Sequence, residues 1–191
     1  LYVFCDTPAY IYRVNPANGS VISSYASPFG FPTRGLGYEY GGYLWIGTYS
    51  APYSRVVRCH EGTGSIYSSF PVTRHSMFGG LACEGDPTKP GTLRAILSNS
   101  FPPEPVTRHT TGGSLLSTFD YPDRFVFFDP GWDYGNNLVW WGNRTAYNAY
   151  VYGFTDAGSL VASFPAPGAN PYGCTYLAGY LWISTDGPPE Y

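Results

Sequence analysis

Charge is what this sequence has least of. Of its 191 residues only 12% are Asp, Glu, Lys or Arg, about half the share of an ordinary soluble chain. Lys89 is the only lysine, Met77 the only methionine, and there are three histidines. A net charge of −3 gives nucleic acid no basic surface to bind. No run approaches the roughly 18 apolar residues of a membrane helix, and no window keeps a 3.6-residue apolar period over a helical length. Cys-x-x-Cys is missing, which argues against a zinc ribbon or a thioredoxin-type site. Also missing are the Gly-x-Ser-x-Gly elbow, His-Glu-x-x-His and a P-loop.

Aromatic side chains, by contrast, make up 19% of the chain, with 24 Gly and 18 Pro. So much aromatic surface excludes a disordered chain. A helical bundle needs an Ala/Glu/Lys/Leu background that is absent.

The strongest signal is a repeat. Gly-Ser recurs at Gly19-Ser20, Gly64-Ser65, Gly113-Ser114 and Gly158-Ser159, in steps of 45, 49 and 45 residues. Five residues after each Ser stands an aromatic: Tyr25, Phe70, Phe119 and Phe164. Three further strand-like runs accompany each copy. One is Leu44-Trp45-Ile46-Gly47-Thr48, echoed by 1–5, 93–97, 138–142 and 181–185; another is Ile11-Tyr12-Arg13-Val14, echoed by 56–59, 106–109 and 151–154. The last is Gly35-Leu36-Gly37-Tyr38, echoed by 80–83, 130–132 and 173–176. All are short, rich in β-branched and aromatic residues, and bounded by turn formers. Four antiparallel strands per period of about 45 residues predict an all-β fold, a β-propeller of about four four-stranded blades. A jelly roll or immunoglobulin-like sandwich is the alternative, but neither demands a fourfold internal repeat. The repeats run over about 1–42, 43–91, 92–137 and 138–180 of a single domain, with a duplicated strand in 181–191.

The segment Tyr12-Arg13-Val14-Asn15-Pro16, Gly19-Ser20-Val21-Ile22-Ser23-Ser24-Tyr25, together with Gly41-Gly42-Tyr43-Leu44-Trp45-Ile46, resembles secreted propeller repeats of the YVTN/NHL and virginiamycin B lyase-like kind. The resemblance covers nearly the whole chain and implies a fold more than an activity. It implies that the Gly35-type strand is innermost and the Gly-Ser strand outermost. Glycine suits the inner strand because strands crowd near the axis. A lyase of this kind would want a histidine base and Mg²⁺ carboxylates at the channel mouth, and no such set stands on the expected inner loops.

Strand counting gives 17, one more than four closed blades need. In the usual closure the inner strand at 173–177 would complete the blade begun by residues 1–30, leaving one second-type strand over. That strand would add to a neighbouring subunit, sit as a fifth strand, or mark a chain cut from a longer array. The propeller is therefore expected to be open or strand-exchanged between subunits. The same blade map would bring Cys5 to Cys174 and Cys59 to Cys83 as disulfides, out of three connectivities; four buried free thiols are the alternative. An even cysteine count in a low-charge chain favours an oxidising compartment. The sequons at Asn18 and Asn143, both in predicted turns, also point to an extracellular or cell-surface protein.

Candidate sites divide by loop. Tyr10, Tyr53 and Tyr147 fall in the loops joining second and third strands and would ring one outer face, suited to sugar rings or a protein partner. Trp132 lies on an inner strand, where it would face the channel; the other tryptophans should be mostly core. His60 and His109 are expected at equivalent blade positions near an exposed turn, with His75 in an inter-blade loop. Asp120, Asp123, Asp129 and Asp133 form the only dense acidic group and read as solvated loop charge rather than a Ca²⁺ site. No cofactor, metal site or catalytic residue is marked. The leading expectation is a non-catalytic extracellular structural or adhesive subunit that self-associates through the spare strand. A glycan- or protein-binding module and a lyase-like enzyme are the alternatives.

Overall fold

The computed structural model describes residues 1–5, 8–28, 33–48, 54–72, 80–84, 92–96, 106–119, 129–145 and 148–185. Every named element in them is a β-strand, and each follows one of the four sequence types. The first blade has β1 (Tyr2–Cys5), β2 (Tyr10–Val14) and β3 (Val21–Ala26); the second has β4 (Thr33–Glu39), β5 (Tyr43–Thr48), β6 (Ser54–His60) and β7 (Ile66–Val72). The third contains β8 (Gly80–Glu84), β9 (Thr92–Ile96), β10 (Val106–His109) and β11 (Leu115–Phe119). In the fourth are β12 (Gly131–Asp133), β13 (Leu138–Thr145), β14 (Asn148–Phe154) and β15 (Leu160–Pro165); β16 (Pro171–Leu177) and β17 (Tyr180–Thr185) make the fifth. All strands within a blade are antiparallel neighbours in chain order. The 17 strands among the described residues match the sequence count, and the propeller is open.

The corner between third and fourth strands repeats in detail. Gly19, Gly64, Gly113 and Gly158 have φ of +71°, +69°, +90° and +82°, a left-handed geometry that glycine adopts without penalty. Immediately after each corner the ladder skips one residue: between Arg13 and Val14, Arg58 and Cys59, Arg108 and His109, and Gly153 and Phe154. The same bulge in four blades is the signature of one module copied four times.

Inner strands meet backbone to backbone. A Cβ placed on Gly35 would lie 2.6 Å from Leu81 N, one on Gly80 2.6 Å from Asp129 Cα, and one on Gly131 2.7 Å from Thr175 Cα. These contacts set β4, β8, β12 and β16 side by side, as the crowding argument requires. Asp129 also forms a parallel bridge to Gly173, with Cys174 N donating to Asp129 O at 2.9 Å.

The core lies between blades. Leu44 and Ile46 of β5 pack with Ile11 and Cys59 towards the first blade, while Trp45 packs with Val56, Phe70, Val72 and Leu81 towards the third. Alternation along β5 thus feeds two interfaces from one strand. Val106 of the third blade packs with Val139, Trp141 and Phe154 of the fourth.

Two expectations fail here. Strand β16 pairs with β17 and does not complete the first blade, since β17 offers the adjacent hairpin partner across a two-residue turn. None of the four cysteines is bridged. Cys59 sits in the interface between the first and second blades and Cys83 against the interface between the second and third, so the second sheet stands between them. Cys5 and Cys174 lie in the first and fifth sheets, which share no strand pairing among the described residues.

Candidate functional site

The fifth blade exposes what the second one buries. β5 reads Tyr-Leu-Trp-Ile-Gly-Thr and β17 reads Tyr-Leu-Trp-Ile-Ser-Thr. Trp45 is 0% exposed in β5, whereas its counterpart Trp182 is 36% exposed in β17. β5 has a hydrogen-bonded strand on each edge and a blade against each face. β17 pairs only with β16 among the described strands. At the opposite end of the series, β1 pairs only with β2 among the described strands.

A second surface gathers at the end of the blades where the first-to-second strand turns emerge. Tyr38 and Tyr40 precede Gly41 and Gly42, Tyr134 opens the turn from β12 to β13, and Tyr180 begins β17; all four are exposed. Beneath them the turns are pinned. Glu39 accepts hydrogen bonds from Trp45 Nε1 at 2.7 Å and from both Arg58 Nε and Nη2 at 2.8 Å. Arg58 in turn lies over the rings of Tyr43 at 3.8 Å and Tyr67 at 4.8 Å. Asp133, buried, accepts from Asn136 N at 3.0 Å, Asn136 Nδ2 at 2.9 Å and Trp140 Nε1 at 3.3 Å. An inner-strand carboxylate taking the indole N–H of the second strand is therefore repeated in two blades, and both carboxylates are spent on structure. Tyr2 stacks on Tyr38 with centroids 5.8 Å apart and donates its hydroxyl to Glu61 at 2.6 Å, tying the first blade to the second. Burial, then that carboxylate, pushes the Tyr2 phenol above its ordinary range.

The residues singled out from sequence are scattered. Tyr10 is half-buried beside Tyr12, their rings 6.1 Å apart. Tyr53 and Tyr147 lie outside the described residues, as do His75, Asp120 and Asp123. The exposed tyrosines that are described occupy the opposite end from the loops of Tyr10. Trp132 does not line a channel: its ring packs against the Val106–Val139–Trp141–Phe154 interface. Asn18 is exposed in its turn, with Oδ1 accepting from Ser20 N at 3.0 Å. Asn143, expected in a turn, is instead in strand β13 opposite Tyr150 and only 1% exposed, which leaves no room for a sugar. His60 is exposed, but its blade equivalent is Thr110, since both donate N–H across the corner, to Ser65 and Ser114. His109 corresponds to Cys59 and is buried, its ring nitrogens 3.0 Å from Thr107 Oγ1 and 3.3 Å from Gly113 O. Asp133 is likewise a buried turn anchor and not solvated loop charge. Among the described residues no group of three His, Cys, Asp or Glu is arranged to hold a metal.

No family model matches the sequence, and neither does any curated protein. Solved structures do match in shape. Glutaminyl cyclase from Myxococcus xanthus superposes with a TM-score of 0.64 at 11% identity, over 96% of this chain and 80% of that one. A chain of a nidogen/laminin complex gives 0.59 at 11% identity, over 97% and 84%. The Dos1 propeller gives 0.56 at 12% identity, over 91% of this chain, which spans only 46% of the Dos1 chain. These neighbours include an enzyme and a member of a protein complex, so the shared shape leaves activity open. At such low identity the likeness is one of architecture, and with the four-stranded antiparallel blades it establishes that this chain has the β-propeller fold, in an open form.

Proposed function

We propose that this chain is a non-catalytic extracellular structural or adhesive protein that assembles with copies of itself through a spare edge strand. The observation that carries this reading is the half-exposed Tyr180–Thr185 strand, whose near-identical twin Tyr43–Thr48 is core. An apolar strand with an open edge and open faces gains free energy by finding a partner. The outer strands support the same reading. Val21 and Ile22, Ile66 and Tyr67, Leu115 and Leu116, and Leu160 and Val161 are all exposed, and β3, β7, β11 and β15 contain no charged residue. Edge strands are ordinarily blunted by lysine or other charge; these carry instead the bulge beside each corner and, in β7 and β15, Pro71 and Pro165. The exposed Asn18 sequon is compatible with an extracellular setting. Small-angle scattering of the purified chain over a concentration series tests the proposal. Elongating particles are expected, and a compact monomer at millimolar concentration would rule assembly out.

A second reading rests on a different surface. Tyr38, Tyr40, Tyr134 and Tyr180 present rigid rings at one end of the blades, a composition that suits sugar rings or a protein partner. Binding on a glycan array that disappears in Tyr40→Ala or Tyr180→Ala would support it. Binding indifferent to both would discard the surface.

A further inference from the structure

The chain carries two sequons, and the fold treats them in opposite ways. Asn143 alternates with Val139 and Trp141 along β13, on the face that packs against Val106 of the third blade, and it is buried. A sugar joined to its side chain would hold those two sheets apart, so a correctly folded molecule carries none there.

Asn18 lies in the corner between β2 and β3. Ala17, Asn18, Gly19 and Ser20 are all exposed, and among the described residues nothing comes within 4 Å of a Cβ placed on Gly19. The corner closes on its own backbone: Asn15 N donates to Ser20 O at 2.8 Å, and Gly19 N donates to Asn15 O at 2.8 Å. These contacts all lie between residues 15 and 20, so the turn forms with its hairpin and asks nothing of the other blades. The Asn18 side chain makes an Asx turn, its Oδ1 accepting from Ser20 N at 3.0 Å. That bond engages the carboxamide oxygen and not Nδ2, the atom to which a sugar is joined.

The corner itself does not require asparagine. The second blade builds the same turn, with His60 N donating to Ser65 O at 2.9 Å, and there Thr63 stands in the place of Asn18, its Oγ1 accepting from Ser65 N at 3.3 Å. Gly112 and Ala157 precede the corner glycine in the third and fourth blades. One copied turn thus carries a different residue at this position in each blade, and only the first makes a sequon.

We infer that Asn18 is the N-glycosylation site of this chain and that Asn143 stays bare. The co-substrate is an oligosaccharide carried on a lipid diphosphate. Asn18 Nδ2 bonds to the anomeric carbon of the first sugar, and the bond from that carbon to the diphosphate oxygen breaks. The lipid diphosphate leaves with the electron pair, and the proton lost from Nδ2 passes to a basic group of the transferase that performs the step. This rests on the extracellular reading above, because such transfer acts on chains entering the secretory route.

The chain of residues 1–191, placed behind a secretion leader and made in insect cells, decides it by intact mass and peptide mapping. The folded protein recovered should lose the mass of one glycan on treatment with peptide-N-glycosidase, with Asn18 and not Asn143 converted to Asp. Asn18→Thr copies the second blade's corner; it should keep the wild-type circular dichroism spectrum and carry no glycan. Folded wild type without sugar at Asn18, or with sugar at Asn143, would overturn the assignment and leave the extracellular reading standing, since the leader was supplied. Locating the chain in the cells that naturally make it tests that reading separately. A chain found only in their cytosol would overturn the reading and the modification with it, whatever the supplied leader had shown.

Discussion

Phe70 and Gly113 are two halves of a single lock: the ring of one fills the space that any other residue at 113 would need. In sequence they are 43 positions apart and look like separate features of a repeat unit. In the fold they touch, across the boundary between one copy of the repeat and the next.

The lock makes a graded mutational prediction. Gly113→Ala should cost about 2–4 kcal/mol, combining left-handed strain with a clash against a buried ring. Gly19→Ala, with the same φ class but nothing among the described residues within 4 Å of the added Cβ, should cost only the strain, about 1–2 kcal/mol. Urea unfolding of both variants measures the difference. Equal costs would mean that the ring contact contributes nothing.

Glu39 gives a second test. Its carboxylate holds the Trp45 indole and the Arg58 guanidinium, and all three sit largely out of water. Glu39→Ala leaves both donors unmatched and should destabilise the fold by about 3–5 kcal/mol. Tryptophan fluorescence should shift as well, since the Trp45 N–H loses its acceptor. A change under 1 kcal/mol would show that water replaces the carboxylate freely.

Stability should fall in alkali. Burial raises the Cys59 thiol from 9.0 to about 11 and the Cys174 thiol from 9.0 to about 12. A raised folded value means that the unfolded chain loses its proton first, so the stabilisation is complete below pH 9. It is lost through pH 11 for Cys59 and pH 12 for Cys174, each contributing a slope of about 1.4 kcal/mol per pH unit. Tyr25, whose phenol is also raised by burial, steepens the fall above pH 10. Urea midpoints at pH 8 and pH 10.5 should differ accordingly, and the gap should narrow in Cys59→Ala.

The same burial protects the thiols. Cys59, Cys83 and Cys174 are all pushed up by desolvation and should resist alkylation at pH 7.5, while the denatured chain should expose all four cysteines. A thiol-reactive dye followed by mass spectrometry counts them. Rapid labelling of Cys83 in the native protein would contradict its place against the second and third blades.

Much of the architecture was legible in the residues themselves. Strand types, their order, the corner glycines and the inner glycines all follow from local chemistry repeated in phase. Which tyrosines meet solvent was not legible, because Tyr40 and Tyr180 are exposed by the turns they sit in and Tyr10 is half-covered by its neighbour Tyr12. Asn143 was misplaced for a related reason: β13 runs three residues beyond the apolar stretch that announced it.

What the sequence determined alone was the module, since backbone preference and turn geometry depend on a few adjacent residues. What only the tertiary structure decided was which copies of that module are covered. Trp45 and Trp182 occupy the same place in nearly the same hexapeptide, and one is core while the other meets solvent. Burial belongs to the neighbour on the far side of the sheet, and no strand carries that neighbour in its own letters.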